Sequence, residues 1–188
     1  KTPLNIVLQT ARDMEKLAKR KEAGDRNAFA IAALKHSGEN HQAYFKWDLA
    51  GGNLPKWEAL RKLVRYFVDK ECSETFIRSL AREFYLLQNS DGDVQNVQGD
   101  VYKDKEKTQF DQRFFMIETE LLRLATKSLQ EGKKDKPKDL QQTVWEFFKT
   151  EDKTTHESVA VRNGIEATKI ALFIKRQTKK NNKNGTTD

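Results

Sequence analysis

Pro55-Lys-Trp-Glu-Ala-Leu-Arg-Lys-Leu-Val-Arg-Tyr-Phe67 decides the fold class. Trp57, Leu60, Leu63, Val64 and Phe67 recur at three- and four-residue steps, with Lys56, Arg61, Lys62 and Arg65 between them. That spacing predicts an amphipathic helix with an apolar stripe inward and a basic stripe outward. Pro55 stands at its start, where a missing N–H costs nothing. The same period continues downstream. Ser73 is placed to cap a helix whose apolar face holds Phe76, Ile77, Leu80, Phe84 and Leu87, ending near Asn89. Thr108 and Asp111 read as the start of another, lined by Phe110, Phe114, Ile117, Leu121 and Leu124. Leu140 to Lys149 reads as a short helix with Val144, Trp145, Phe147 and Phe148, and Thr154 and Glu157 as a capping box for a last helix to about Thr178.

Upstream the period is looser. A helix is predicted from Leu4 to Ala23, ended by Gly24, and a second from Arg26 to His36 carrying Phe29, Ile31 and Leu34. Tyr44, Phe45 and Trp47 suggest a further short helix, and Gly51-Gly52 a hinge. No strand is predicted. The expected fold is therefore all-α: a five- to six-helix bundle with an extra N-terminal helical pair. Its expected division is an N-terminal helical extension over 1–52, the bundle over 53–178, and a disordered polar tail over 179–188. Ser90 to Lys107, with Gly92 and Gly99, is a long connection, expected to be mobile or ordered by a partner. Glu131 to Pro137 reads as a charged linker.

Lys and Arg total 35 against 28 acids, a formal net charge of +7. Charged residues make up 34% and hydrophobic ones 37%, which suits a modest core under much solvated or partner-facing surface. The surplus lies on predicted helix faces. Arg61, Lys62 and Arg65 share one helix, Arg78 and Arg82 another, and Arg162, Lys169 and Arg176 recur every seven residues on a third. For any one stripe, solvation of an outer face is the better account. Three stripes with a positive balance favour a protein that lies along a polyanion, its cations neutralising phosphates without reading bases. The aromatics Phe110, Phe114, Trp145 and Phe148 sit at core spacing and read as packing rather than base stacking.

Catalytic and metal chemistry find little footing. His36 and His41 are five residues apart, not at the helical spacing of two ligands, and His156 is distant in sequence. Asp91-Gly-Asp93 resembles the opening of a calcium loop, but Tyr102 stands where the twelfth-position glutamate belongs. The single cysteine, Cys72, at the edge of a helix start, reads as a part-buried apolar residue, and it fits a reducing, cytoplasmic setting. Glu118 and Glu120, two apart on a helix, point in different directions. There is no P-loop, dinucleotide fingerprint or nucleophile elbow, and no Arg followed four to six residues later by His. No enzyme, cofactor, metal site or membrane span is expected.

From about Pro55 to Thr178 the order of helices resembles the small helical subunit of the type III-A CRISPR–Cas interference (Csm) complex. Cys72-Ser-Glu-Thr-Phe-Ile77-Arg78 matches that family's Thr/Ser-rich start and Ile-Arg pair. Ile117-Glu-Thr-Glu-Leu-Leu-Arg-Leu-Ala-Thr-Lys127 resembles its leucine-rich segment, with Arg123 where the family has Tyr. Trp145-Glu-Phe-Phe148 and Glu166-Ala167 resemble its closing aromatic stretch and Glu-Ala pair, although Ile170-Ala171-Leu172-Phe173 replaces the family's Tyr-His.

The resemblance implies a non-catalytic subunit whose copies stack head to tail beside the guide-binding backbone subunits. They would present basic residues to guide RNA and target RNA while base pairing supplies specificity. Arg78 carries over with its motif and Lys127 more loosely. Arg61, Arg65, Arg82, Arg123 and Lys169 join them from the stripes alone. Two other readings stand beside this one: a helical nucleic-acid-binding regulator acting alone on duplex DNA, and a protein-interaction module whose charge is incidental.

Overall fold

The computed structural model describes residues 2–20, 26–35, 37–47, 54–85, 103–129, 136–149 and 157–184. In chain order these form α1 (Leu4–Ala18), β1 (Ala28–Leu34), β2 (Asn40–Lys46), α2 (Lys56–Val68), α3 (Thr75–Glu83), α4 (Lys103–Ser128), α5 (Lys136–Phe148) and α6 (Glu157–Asn184). The molecule is mostly helical, but it is not all-α. The second helix expected over Arg26–His36, and the short one around Tyr44, are the two strands of an antiparallel hairpin.

The hairpin follows from a period of two that the helical reading overlooked. Phe29, Ile31 and Ala33 alternate along β1 and pair with Phe45, Ala43 and His41 of β2, so these six side chains share one face. Ala33, His41, Ala43 and Phe45 are buried on it. Ile31 and Leu34, three residues apart, also satisfy a helical spacing, which is why the sequence alone misleads here. The turn is of the three-residue kind. Lys35 N–H donates to the Glu39 carbonyl at 3.0 Å, and Gly38 N–H to the Lys35 carbonyl at 3.1 Å. Gly38 takes the left-handed conformation, φ 85°, that such a loop requires.

α1 lies against the hairpin and buries Met14, while Leu4, Ile6, Val7 and Leu8 remain exposed. β2 packs against α6. Asn163 of α6 accepts from the Tyr44 N–H at 2.9 Å and donates to the Tyr44 carbonyl at 2.6 Å. It thereby satisfies backbone groups that point off the outer edge of the sheet.

The apolar stripe that opened the sequence reading faces the core as expected. Leu60, Leu63 and Phe67 are buried, together with Phe76, Leu80 and Phe84 of the following segment and Ile117 and Leu121 of α4. Phe147 and Phe148 of α5 and Ile165 and Ile170 of α6 complete the cluster, which also takes in Ala33, Ala43 and Phe45 from the hairpin. Each large side chain buried this way contributes about 1.5–3 kcal/mol before entropy is counted. Phe45 meets Phe147 with ring centroids 5.5 Å apart, so the hairpin and the helices share one core. Trp57, expected on the apolar face, is instead exposed.

Polar contacts pin α2 to α5. Lys62 donates to Asp139 at 2.5 Å, and the Tyr66 hydroxyl donates to the other oxygen of the same carboxylate. Burial of Asp139 works against its charge, but the hydrogen bonds from Lys62 and Tyr66 outweigh it and hold its pKa below the ordinary value. At the other end, the buried Lys56 ammonium donates to the Lys149 carbonyl at 2.8 Å, satisfying a group just past the end of α5.

α2 ends in a double turn: Glu71 N–H donates to the Tyr66 carbonyl at 3.0 Å and Lys70 N–H to the Phe67 carbonyl at 3.3 Å. Lys70 occupies the left-handed position there, φ 57°. Cys72 then bridges to Leu129, tying the start of α3 to the end of α4. Ser73 donates its N–H to the Ser128 carbonyl in that bridge, and its hydroxyl accepts from the Thr75 N–H at 3.2 Å, a local version of the expected cap.

Several boundaries differ from expectation: α1 ends at Ala18 rather than Ala23, α3 at Glu83 rather than near Asn89, and α5 begins at Lys136 rather than Leu140. α4 begins at Lys103, so Thr108 and Asp111 lie within a helix rather than at its start, and the last part of the expected Ser90–Lys107 connection is helical. α6 runs to Asn184, six residues beyond Thr178. The Gly51-Gly52 hinge, the Asp91-Gly-Asp93 segment and most of the linker before Pro137 lie outside the described residues.

Candidate nucleic-acid interface

The tip of the hairpin, α3 and α6 converge on a cleft of about 340 Å³. α3 and the residue before it contribute Glu74, Ile77, Arg78 and Ala81, whose three- and four-residue spacing puts them on adjoining parts of one helix face. α6 contributes Lys169, Leu172, Phe173 and Arg176 by the same rule. The hairpin contributes Lys35, Glu39 and His41, and only the three-residue turn brings Lys35 and Glu39 side by side.

Most of the cations there are already paired. Lys35 holds Glu39 at 2.7 Å, Lys169 holds Glu166 at 2.7 Å, and Arg176 holds Glu74 at 2.8 Å. The buried Lys175 also pairs with Glu74. Hydrogen bonds from Arg176 and then Lys175 hold the Glu74 carboxyl at a pKa of about 2, against the opposing effect of its burial. The Lys35 hydrogen bond lowers Glu39 likewise. Arg78 is exposed and has no hydrogen-bond or ion-pair partner among the described residues.

His41 is 3% exposed beneath this cleft. Its Nδ1 lies 2.8 Å from Glu166 Oε2. Its Nε2 lies 3.0 Å from Glu39 Oε1, yet the two are not aligned and Nε2 makes no hydrogen bond. The distance by itself would suggest an ion pair; the angle decides against a hydrogen bond, because such interactions weaken steeply off line.

The expected contact residues fall into three places. Arg78 and Lys169 meet in the cleft. Arg82 and Arg123 approach each other across α3 and α4 through Glu83, at 3.0 Å and 4.0 Å respectively, and Arg123 also grips Glu120 with two nitrogens. Lys127 stands one turn beyond Arg123, exposed. Arg61 and Arg65 are exposed on α2, in neither group, with the Arg61 guanidinium 5.6 Å from the Trp57 ring and paired with Glu58. Arg162, first of the seven-residue series, is exposed on α6 outside the cleft.

Sequence reasoning missed Lys35, Glu39, His41 and Glu74 as cleft residues. The Ser37-Gly38 pair, between two runs of alternating side chains, was the signal for the first three. Arg176 belongs to the seven-residue series, but its spacing alone did not mark it as a contact.

The arrangement can bind an anion. Pairs at a protein surface are worth only about 0–1 kcal/mol each, so a phosphate can take over Lys35, Lys169 or Arg176 from its carboxylate. Cys72 is buried, and burial pushes its thiol up to about 12, which keeps it protonated. Among the described residues no three His, Cys, Asp or Glu side chains gather in a metal-binding group. Among those residues, too, no helix is long and apolar enough to cross a membrane. No protein-family model, curated protein or solved structure matches the chain.

Proposed function

We propose that this chain is a non-catalytic, RNA-contacting small subunit of a type III CRISPR effector complex, working in the cytoplasm. Its basic helix faces cradle guide and target RNA through phosphates, without base reading. The helical core acts as a stacking unit, with further copies of the chain and the other Csm-type subunits as neighbours. The observation that carries the reading is Arg78, the basic residue of the Ile-Arg motif. It stands exposed and unpaired, among the described residues, at a cleft shared with Lys35, Lys169 and Arg176. Arg82, Arg123 and Lys127 extend the basic surface along α3 and α4.

The test is a tagged pull-down at low salt, with sequencing of bound RNA and mass spectrometry of bound protein. Guide RNAs of defined length together with Csm-type subunits are the expected result. Arg78→Glu should lower RNA retention while leaving the helical circular dichroism unchanged. Recovery of neither guides nor such subunits would overturn the proposal.

A second reading, a protein-interaction module, is favoured by exposed apolar side chains. Phe115 and Met116 on α4 are 70% and 69% exposed, and Leu4 and Leu8 stand out on α1. A protein partner retained equally at low and high salt, without RNA, would select it.

A further inference from the structure

We infer that the cleft between the hairpin tip, α3 and α6 binds a terminal nucleotide phosphate, a phosphomonoester carried on a nucleoside. This goes beyond contact with an RNA backbone, because a chain end or a free nucleotide differs from an internal diester in charge and shape.

Size comes first. At about 340 Å³ the cleft lies at the lower end of small-ligand sites, roughly 300–1,000 Å³. It has room for about one nucleotide.

Charge comes second. Lys35, Arg78, Lys169, Lys175 and Arg176 stand in or against the cleft, facing the carboxylates of Glu39, Glu74 and Glu166. Five cations against three anions leave an excess of two. A phosphomonoester carries about 1.5 to 2 negative charges near neutral pH, whereas each backbone diester carries one. The excess therefore matches the monoester. Arg78, with no carboxylate partner among the described residues, is the group that gains most, since a guanidinium fork grips two phosphate oxygens at once.

His41 is the third and independent observation. A ring nitrogen buried this deeply without a hydrogen bond is rare and costs free energy. Lys35 holds the other oxygen of the Glu39 carboxylate, at 2.7 Å. A phosphate that takes Lys35 releases Glu39 to align on His41 Nε2, so binding completes a hydrogen bond that this nitrogen otherwise lacks.

The wall supplies the rest. Ile77, Leu172 and Phe173 line the same cleft, and Phe173 is only partly buried. An apolar strip beside a cationic one suits a base attached to a phosphate, with an aromatic ring available for stacking.

The experiment titrates the full chain with adenosine monophosphate, with adenosine, and with one single-stranded RNA sequence bearing either a 5′-phosphate or a 5′-hydroxyl. Adenosine monophosphate should bind at least roughly tenfold tighter than adenosine, the scale of one charge-assisted hydrogen bond. Arg78→Gln should remove that preference, and Phe173→Ala should weaken both ligands, with helical circular dichroism retained. If the 5′-phosphorylated RNA also outbinds its 5′-hydroxyl twin, the ligand is a strand end; if the two RNAs bind alike, it is a free nucleotide. Equal or absent binding of adenosine monophosphate and adenosine overturns the inference, as does an Arg78→Gln protein that still prefers the phosphate. Salt-dependent binding of 5′-hydroxyl RNA without any nucleotide effect would leave the RNA-contacting proposal standing and sink this one. Nucleotide binding without RNA binding would do the reverse.

Discussion

Gly164 of α6 lies so close to the ring of Phe148 that a Cβ atom there would sit 2.7 Å from Cδ2 and 2.8 Å from Cε2. Phe148 is fully buried and contacts Phe84 with centroids 5.9 Å apart, so its ring has nowhere to retreat. On helix propensity alone Gly164→Ala would gain about 1 kcal/mol. Overpacking of this kind costs about 1–3 kcal/mol, so the variant should be less stable, by up to about 2 kcal/mol in urea denaturation. Phe148→Leu in the same chain should recover part of the loss. A Gly164→Ala variant more stable than the parent would mean that α5 and α6 are free to separate.

The amide of Asn163 serves both backbone groups of Tyr44. Asn163→Ala leaves both without that partner at the outer edge of β2. A loss of about 1–3 kcal/mol is expected, concentrated in the hairpin. Hydrogen exchange should show faster exchange at Tyr44 and its strand neighbours, with amides of α5 little changed. A uniform effect across the protein would argue against a local clamp.

Glu74 gives the fold an acid-sensitive joint between α3 and α6. Its carboxyl titrates at about 2 when folded, against an ordinary value of 4.5. A depressed folded pKa adds stability that is complete above the ordinary value and disappears as pH falls through the folded one. Glu74→Gln should therefore cost stability at about pH 6 and progressively less as pH falls below about 4.5 toward 2. Urea midpoints of both proteins across that range would show the gap closing. A gap constant with pH would mean that the Lys175 and Arg176 contacts contribute nothing through charge.

Lys70 holds the left-handed position after α2. For a residue with a Cβ that conformation costs roughly 1–2 kcal/mol, part of which glycine gives back through its freer unfolded chain. Lys70→Gly should raise the thermal midpoint, by up to about 1 kcal/mol in stability. A fall would show that the lysine side chain contributes more than its backbone costs.

Helices with one strongly apolar stripe were legible in the sequence. The run from Pro55 to Phe67 forms α2, and the buried faces of α3 and α5 include the residues their spacing selected. The hairpin was overlooked because Ile31 and Leu34, three apart, fit a helical period, although the alternation of Phe29, Ile31 and Ala33 ahead of the Ser37-Gly38 turn marks a strand. Of the candidate site, Arg78 and Lys169 were visible as cations on helix faces, but not that they share a cleft. Their meeting depends on how α3, α6 and the hairpin cross, and spacing along one helix carries no information about that. Paired carboxylates were equally hidden: Glu74 reads as a residue at a helix start until Lys175 and Arg176 arrive from a helix about a hundred positions later.

The clamp on Tyr44 spans 119 positions of chain. A ribosome that has made the hairpin and α2 has made only part of the core, since Ile165, Ala167, Ile170 and Ala171 come from the last helix. Until α6 emerges, the edge of β2 is bare, and bare strand edges are where newly made chains pair with the wrong neighbour. Completion of this core therefore waits for α6. The hairpin, made before α6, gains the partner of its β2 edge only when Asn163 arrives.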